Sequence, residues 1–142
     1  MKRLNGMKWK YSPSPSAVRV AMAALEPTSP KEFLQQATHI IVAVVDDEGK
    51  PWAVPLGLKS YKHRTFQWFS AVDTVHSRAI ARNPEVAVTA YMADPTYGVC
   101  ARAHAKKQLT LPGGFALYSA EIYEAWYNTG KRIKTNIDVK DL

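Results

Sequence analysis

Residues 65–92 read TFQWFSAVDTVHSRAIARNPEVAVTAYM, and the order of signals in this stretch decides the fold. Thr65 to Ala71 is rich in aromatic residues and reads as a strand. Asp73 or Thr74 can cap a helix with its body at Val75 to Arg82. Asn83-Pro84 ends that helix, because the residue before a proline avoids helical backbone. Val86 to Met92 then reads as the next strand. At the first junction Ser70 closes the strand, while Thr74, His76, Ser77 and Arg78 open the helix. The N–H groups of a helix's first turn have no intrahelical acceptor, and with nearby hydroxyls and a cation they can hold a phosphate. Trp68 and Phe69 would then flank or support a ring system attached to that phosphate.

Upstream, Ser29-Pro30-Lys31-Glu32 supplies an N-cap, a first-turn proline and a glutamate three residues after the cap, so a short helix is expected from Pro30 to about Ala37. His39 to Val45 is a β-branched run leading into the turn cluster Asp46-Asp47-Glu48-Gly49, with the second strand of a hairpin at Pro51 to about Lys59 and a turn over Tyr61 to Arg64. Downstream, Ala93 to Gly98 reads as a loop and Val99 to Thr110 as a strand. Leu111-Pro112-Gly113-Gly114 breaks the chain. From Phe115 to Asn128, Leu117, Ala120, Ile122, Tyr123 and Trp126 form a helical stripe that Gly130 would terminate, with the last dozen residues as a tail. Tyr11 to Ser16 reads as a linker, and the Ala-rich residues 17–25 as one short helix.

The chain of 142 residues has the composition of one globular domain, at 46% hydrophobic and 22% charged. The expected division is a basic Pro/Ser-containing arm at 1–28 and a single domain at 29–142 with a C-terminal helix. Its net charge of +7 is uneven: residues 1–25 carry +5 and no acid, leaving +2 for the rest. The arm lacks a recognition motif or a repeat, so a solvated leader is favoured over a nucleic-acid contact. Cys100 is the sole cysteine, which excludes an intramolecular disulfide and fits a reducing, cytoplasmic setting. The longest aliphatic run, Ile40 to Val45, is far short of the roughly twenty residues a spanning helix needs. Arg19 interrupts the apolar patch that could otherwise pass for a secretory signal. His39, His63, His76 and His104 lack paired metal-ligand spacing, so no metal site is expected. Ser70, Asp73 and His76 have the residue types of a catalytic triad but no nucleophile elbow, which argues against hydrolase chemistry.

The strand, phosphate helix and following strand resemble those of the pyridoxamine 5'-phosphate oxidase-like flavoproteins. In that family a hydroxyl residue ends the strand, a Ser/Thr and a basic residue open the helix, and Asn-Pro precedes a hydrophobic strand; here these roles fall to Ser70, Thr74, His76, Asn83-Pro84 and Val86 to Tyr91. Gly49 to Leu56 is similar to the family's second strand, so Val54, Pro55 and Leu56 are the implied contacts to a flavin edge. The resemblance implies a mostly β fold, a six-stranded antiparallel split barrel with peripheral helices, of which the sequence locates five strands. It further implies a homodimer with cofactor clefts at the interface, non-covalent FMN held at residues 70–78, and flavin-dependent redox chemistry on a small organic substrate. Relatives of this fold use F420 or haem, which are the alternative cofactors, and a non-catalytic flavin-binding protein is the alternative function. The oxidases proper carry an arginine on strand two and an Arg-Lys pair at the helix, where this chain has Val54, Val75 and His76, so vitamin B6 oxidation is not assigned. The implied cofactor contacts are therefore Val54, Pro55, Leu56, Trp68, Phe69, Ser70, Thr74, Val75, His76 and Arg78, with Arg102 and Trp126 reaching across a dimer.

Overall fold

In the computed structural model, described over residues 14–16, 29–92, 97–129 and 134–142, one antiparallel sheet of eight strands carries two helices. Helix α1 spans Pro30–Gln36, with Ser29 Oγ accepting from the Glu32 N–H at 3.2 Å and Pro30 at the first helical position, as the local sequence dictates. Strands β1 (His39–Val45) and β2 (Pro51–Gly57) form a hairpin whose turn places Gly49 at φ +77°. A short β3 (Ser60–Lys62) turns through His63 and Arg64, both at positive φ, into β4 (Thr65–Ala71). Helix α2 (Val75–Arg82) and β5 (Glu85–Tyr91) follow, then the long pair β6 (Tyr97–Leu111) and β7 (Phe115–Thr129), β8 (Lys134–Ile137) and a 3-10 turn at Val139–Asp141. The strand order is β2-β1-β5-β6-β7-β4-β3, with β8 on β7 beside the end that β4 leaves free.

Four expectations are corrected. The stretch from Phe115 is not a C-terminal helix but β7, the strand that pairs with β6, β4 and β8. Its inward residues Ala116, Tyr118, Ala120 and Ile122 keep the period of two; Tyr123 is then an extra residue, because Ala103 pairs with Ile122 while Arg102 pairs with Glu124. This β-bulge changes phase, so the next inward residue is Ala125, and the summed pattern imitates helical spacing. The expected tail instead contains β8 and buries Leu142. The second strand stops at Gly57, and part of the expected turn is strand β3. Pro15 and Ser16 have helical backbone where a linker is expected, as a proline opening a helix allows. The rest of the arm, the Ala-rich helix at 17–25 and residues 93–96 of the expected loop lie outside the described residues.

The core explains the small residues of the long hairpin. Ala101 and Ala105 of β6 lie opposite Ala125 and Ala120 of β7, with Ala103 between them and Ala116 further along the same inner face, leaving space that Phe66, Trp68, Tyr118, Leu34 and Ile40 fill. Trp68 and Tyr118 are register partners with rings stacked at 6.0 Å. Ala79 and Ile80 fasten α2 onto this core, which fixes the start of the helix against the end of β4.

Candidate functional site

Thr74 caps α2: its Oγ1 accepts from the Ser77 N–H at 3.3 Å and donates to Ser77 Oγ at 2.8 Å, and that hydroxyl donates to the Ala71 carbonyl at 2.8 Å. The imidazole Nε2 of His76 lies 2.7 Å from Ser70 Oγ and 3.3 Å from Thr74 Oγ1. Ser70 and His76 are only 7% and 5% exposed, so they hold each other rather than solvent. Burial pushes the His76 imidazole below its ordinary value, which makes it a neutral hydrogen-bonding group near pH 7 and not a standing cation. The N–H groups at the helix start retain the partial positive charge of the helix terminus.

The other expected contacts fall in three places. Arg78 faces the β1–β2 turn, with Nε 3.1 Å from Asp47 Oδ2 and a guanidinium nitrogen 2.6 Å from the Asp73 carbonyl; Arg82 also pairs with Asp47. Val54 and Leu56 are half-buried on β2 with Pro55 exposed between them, and Val75 is half-buried at the helix start. Phe69 is 49% exposed on the outer face of β4, with the Lys59 ammonium 5.8 Å from its ring centre. Trp68 is wholly buried, so it supports β4 from beneath, and its indole N–H finds no acceptor among the described residues.

Arg102 and Trp126 sit together on the outer face of β6 and β7, the guanidinium 5.3 Å from the indole centre and bonded to Glu124 at 2.8 Å. Phe69 stands opposite Leu117, so Trp126 lies nine residues further along β7, about 30 Å along the strand. The single chain does not bring this pair to the start of α2. The bulge also creates a network that residue types alone do not disclose: Tyr123 donates to Glu85 at 2.7 Å, and His104 lies 2.6 Å from the same carboxylate. The Tyr123 bond, and then His104, hold the Glu85 carboxyl below its ordinary range; the same bond raises the Tyr123 phenol. Among the described residues no helix is long and apolar enough to cross a membrane.

The sequence matches the pyridoxamine 5'-phosphate oxidase family model over residues 29–139. No curated protein matches it. Among solved structures, the fold is similar to a heme binding protein from Mycobacterium smegmatis (TM-score 0.67, 12% identity, covering 81% of this chain and 60% of that one). It is also similar to a protein related to general stress protein 26, of the pyridoxinephosphate oxidase family, from Clostridium acetobutylicum (TM-score 0.62, 11% identity, 76% and 92% covered). An F420 reductase is a third relative in fold (TM-score 0.60, 14% identity, 70% and 98% covered).

Proposed function

Because the chain belongs to the pyridoxamine 5'-phosphate oxidase family, we propose that it binds FMN non-covalently and carries out flavin-dependent redox chemistry on a small organic substrate. The observation that carries this reading is the convergence of the Ser70 and Thr74 hydroxyls on His76 Nε2, at 2.7 and 3.3 Å, at the start of α2. Hydroxyls, a neutral imidazole and helix N–H groups together suit a phosphate. Phe69, exposed one residue before Ser70, suits the face of an attached ring, and Val54 to Leu56 suit its edge. When bound, the flavin supplies the ring that accepts or donates the hydride. The chain's own residues bind the phosphate, orient the ring and shield it from water.

We place the working unit as a cytoplasmic homodimer. Arg102 on β6 and Trp126 on β7 are too far along the hairpin to serve the same chain's phosphate site, so a second copy is the means by which both sets could meet one cofactor. The similarity to a heme binding protein and to an F420 reductase keeps those two cofactors as the competing readings.

The absorption spectrum of the purified protein, with mass identification of any molecule released on denaturation, tests the assignment. Flavin bands and the mass of FMN are the expected result. A Soret band, or an empty protein that takes up F420 and not FMN, would replace it. Alanine at Ser70 and Thr74 together should weaken FMN roughly tenfold or more, at about 1 to 3 kcal/mol per lost bond, and leave riboflavin nearly unchanged.

A further inference from the structure

The outer face of the long hairpin carries two apolar areas, one at each end. Near the β6–β7 turn, Phe69, Leu117 and Leu109 are aligned in one row across β4, β7 and β6, with Phe115 in the next; Phe69, Leu109 and Phe115 are exposed. At the far end, Trp126, Cys100 and Thr89 form a row across β7, β6 and β5, beside the row of Glu124, Arg102 and Ala87. Residues directly opposite each other in antiparallel strands share a face, so each row is presented together. Contiguous exposed apolar side chains of this size mark a surface that binds.

The two ends complement each other in charge. The first has Lys59 over the Phe69 ring and Lys106 in the row of Gln67 and Ser119, with no carboxylate in these rows. Toward the second, the Glu85 and Glu124 carboxylates stand beside His104 and Arg102. The face is also large enough for a partner. Strands β6 and β7 are each 15 residues long. A strip of that length and three strands wide measures about 50 by 15 Å, roughly 750 Å² for one copy. A stable interface covers about 800 Å² on each partner.

We propose that a second copy of the chain covers this face, the two long hairpins stacking outer face to outer face and running in opposite directions. Their two-fold axis lies between the sheets and crosses each at the row of His104 and Glu121. That row is midway between Leu117 and Trp126, so Trp126 and Cys100 of one copy lie over Leu117 and Leu109 of the other, and both apolar areas close at once. The same operation brings Lys106 of one copy beside the row that holds Glu124 in the other. At the axis Glu121 meets its own copy, and each brings a cation with it, Arg64 at 3.2 Å. The stacking deepens the proposed function and rests on it for the shared cofactor: it carries Arg102 and Trp126 toward Phe69 of the second copy, which their distance along one chain forbids.

Because Cys100 is the sole cysteine, one substitution tests the axis. In Leu109→Cys the introduced thiol lies about 30 Å from Cys100 along its own strand, but faces Cys100 of the second copy across the roughly 10 Å that separate stacked sheets. The purified protein is treated with a bismaleimide of about 10 Å span, matched to that separation, with circular dichroism to confirm the fold. Leu109→Cys should give mainly covalent dimer. The unsubstituted chain, and Leu109→Cys combined with Cys100→Ser, should give about tenfold less, because like positions in the two copies stand about 30 Å apart. No covalent dimer in Leu109→Cys, or an equal yield when either thiol stands alone, would overturn the stacking. A specific link in protein that takes up no FMN upholds the face and ends the functional reading. FMN uptake by a chain that gives no link does the reverse.

Discussion

At the scale of single residues, the pair formed by Ser70 and His76 couples folding to pH. The folded protein buries an imidazole whose affinity for a proton is below its ordinary value of 6.5. The unfolded chain therefore binds more protons than the folded one as pH falls, so the stability present above about pH 6.5 declines on acidification through the folded value. We expect the thermal midpoint of flavin-free protein to drop between about pH 7 and pH 5, and to drop less in His76→Gln. An identical pH profile in the variant would show that His76 contributes nothing to the slope. Trp68 illustrates the converse case, in which a ring chosen for volume leaves its N–H without an acceptor among the described residues. Such a group is tolerated because stacking on Tyr118 and full burial offset the loss.

At the scale of elements, the bulge at Tyr123 divides β7 into two halves of opposite phase. Deleting Tyr123 would restore a single alternation with Ile122 inward, Glu124 outward opposite Arg102 and Ala125 inward opposite Ala101, so the existing pairing of β6 with β7 is kept. The loss is then confined to the Tyr123 bond to Glu85 and the local twist of the bulge, and we expect the deletion to lower the thermal midpoint by no more than about 4 °C. A fall of roughly 10 °C or more would mean that the sheet cannot keep this pairing without the bulge. The same bulge marks the boundary of what local sequence can tell. The limits of β4 and α2 are readable because a cap, a proline and a strand end all lie within a few residues of one another. Strand β7 is not, because its phase depends on a partner some twenty residues distant and because alanine, so frequent there, favours helices when unpaired. The Ser70, Thr74 and His76 cluster is legible for the same local reason, whereas Glu85, His104 and Tyr123 meet only through the pairing of β5, β6 and β7.

At the scale of the whole molecule, the separation of Arg102 and Trp126 from the start of α2 makes the number of copies a test of the site. Sedimentation at micromolar concentration should give a homodimer, and a monomer that still binds FMN tightly would end the shared-cleft account. The sheet also has two open ends, at β2 and β3. An open strand invites a foreign one to add to it through unused N–H and C=O groups. In β2 both Pro51 and Pro55 lie four residues apart, opposite Val45 and Ile41, so they share the same hydrogen-bonding direction. Neither has an N–H to offer. The expected second-strand motif thus does double duty: its prolines, read above only as neighbours of a cofactor edge, deprive the margin of the sheet of regular donors. Runaway strand-by-strand polymerisation is thereby discouraged at the end of the sheet where the β-branched hairpin would otherwise seed it.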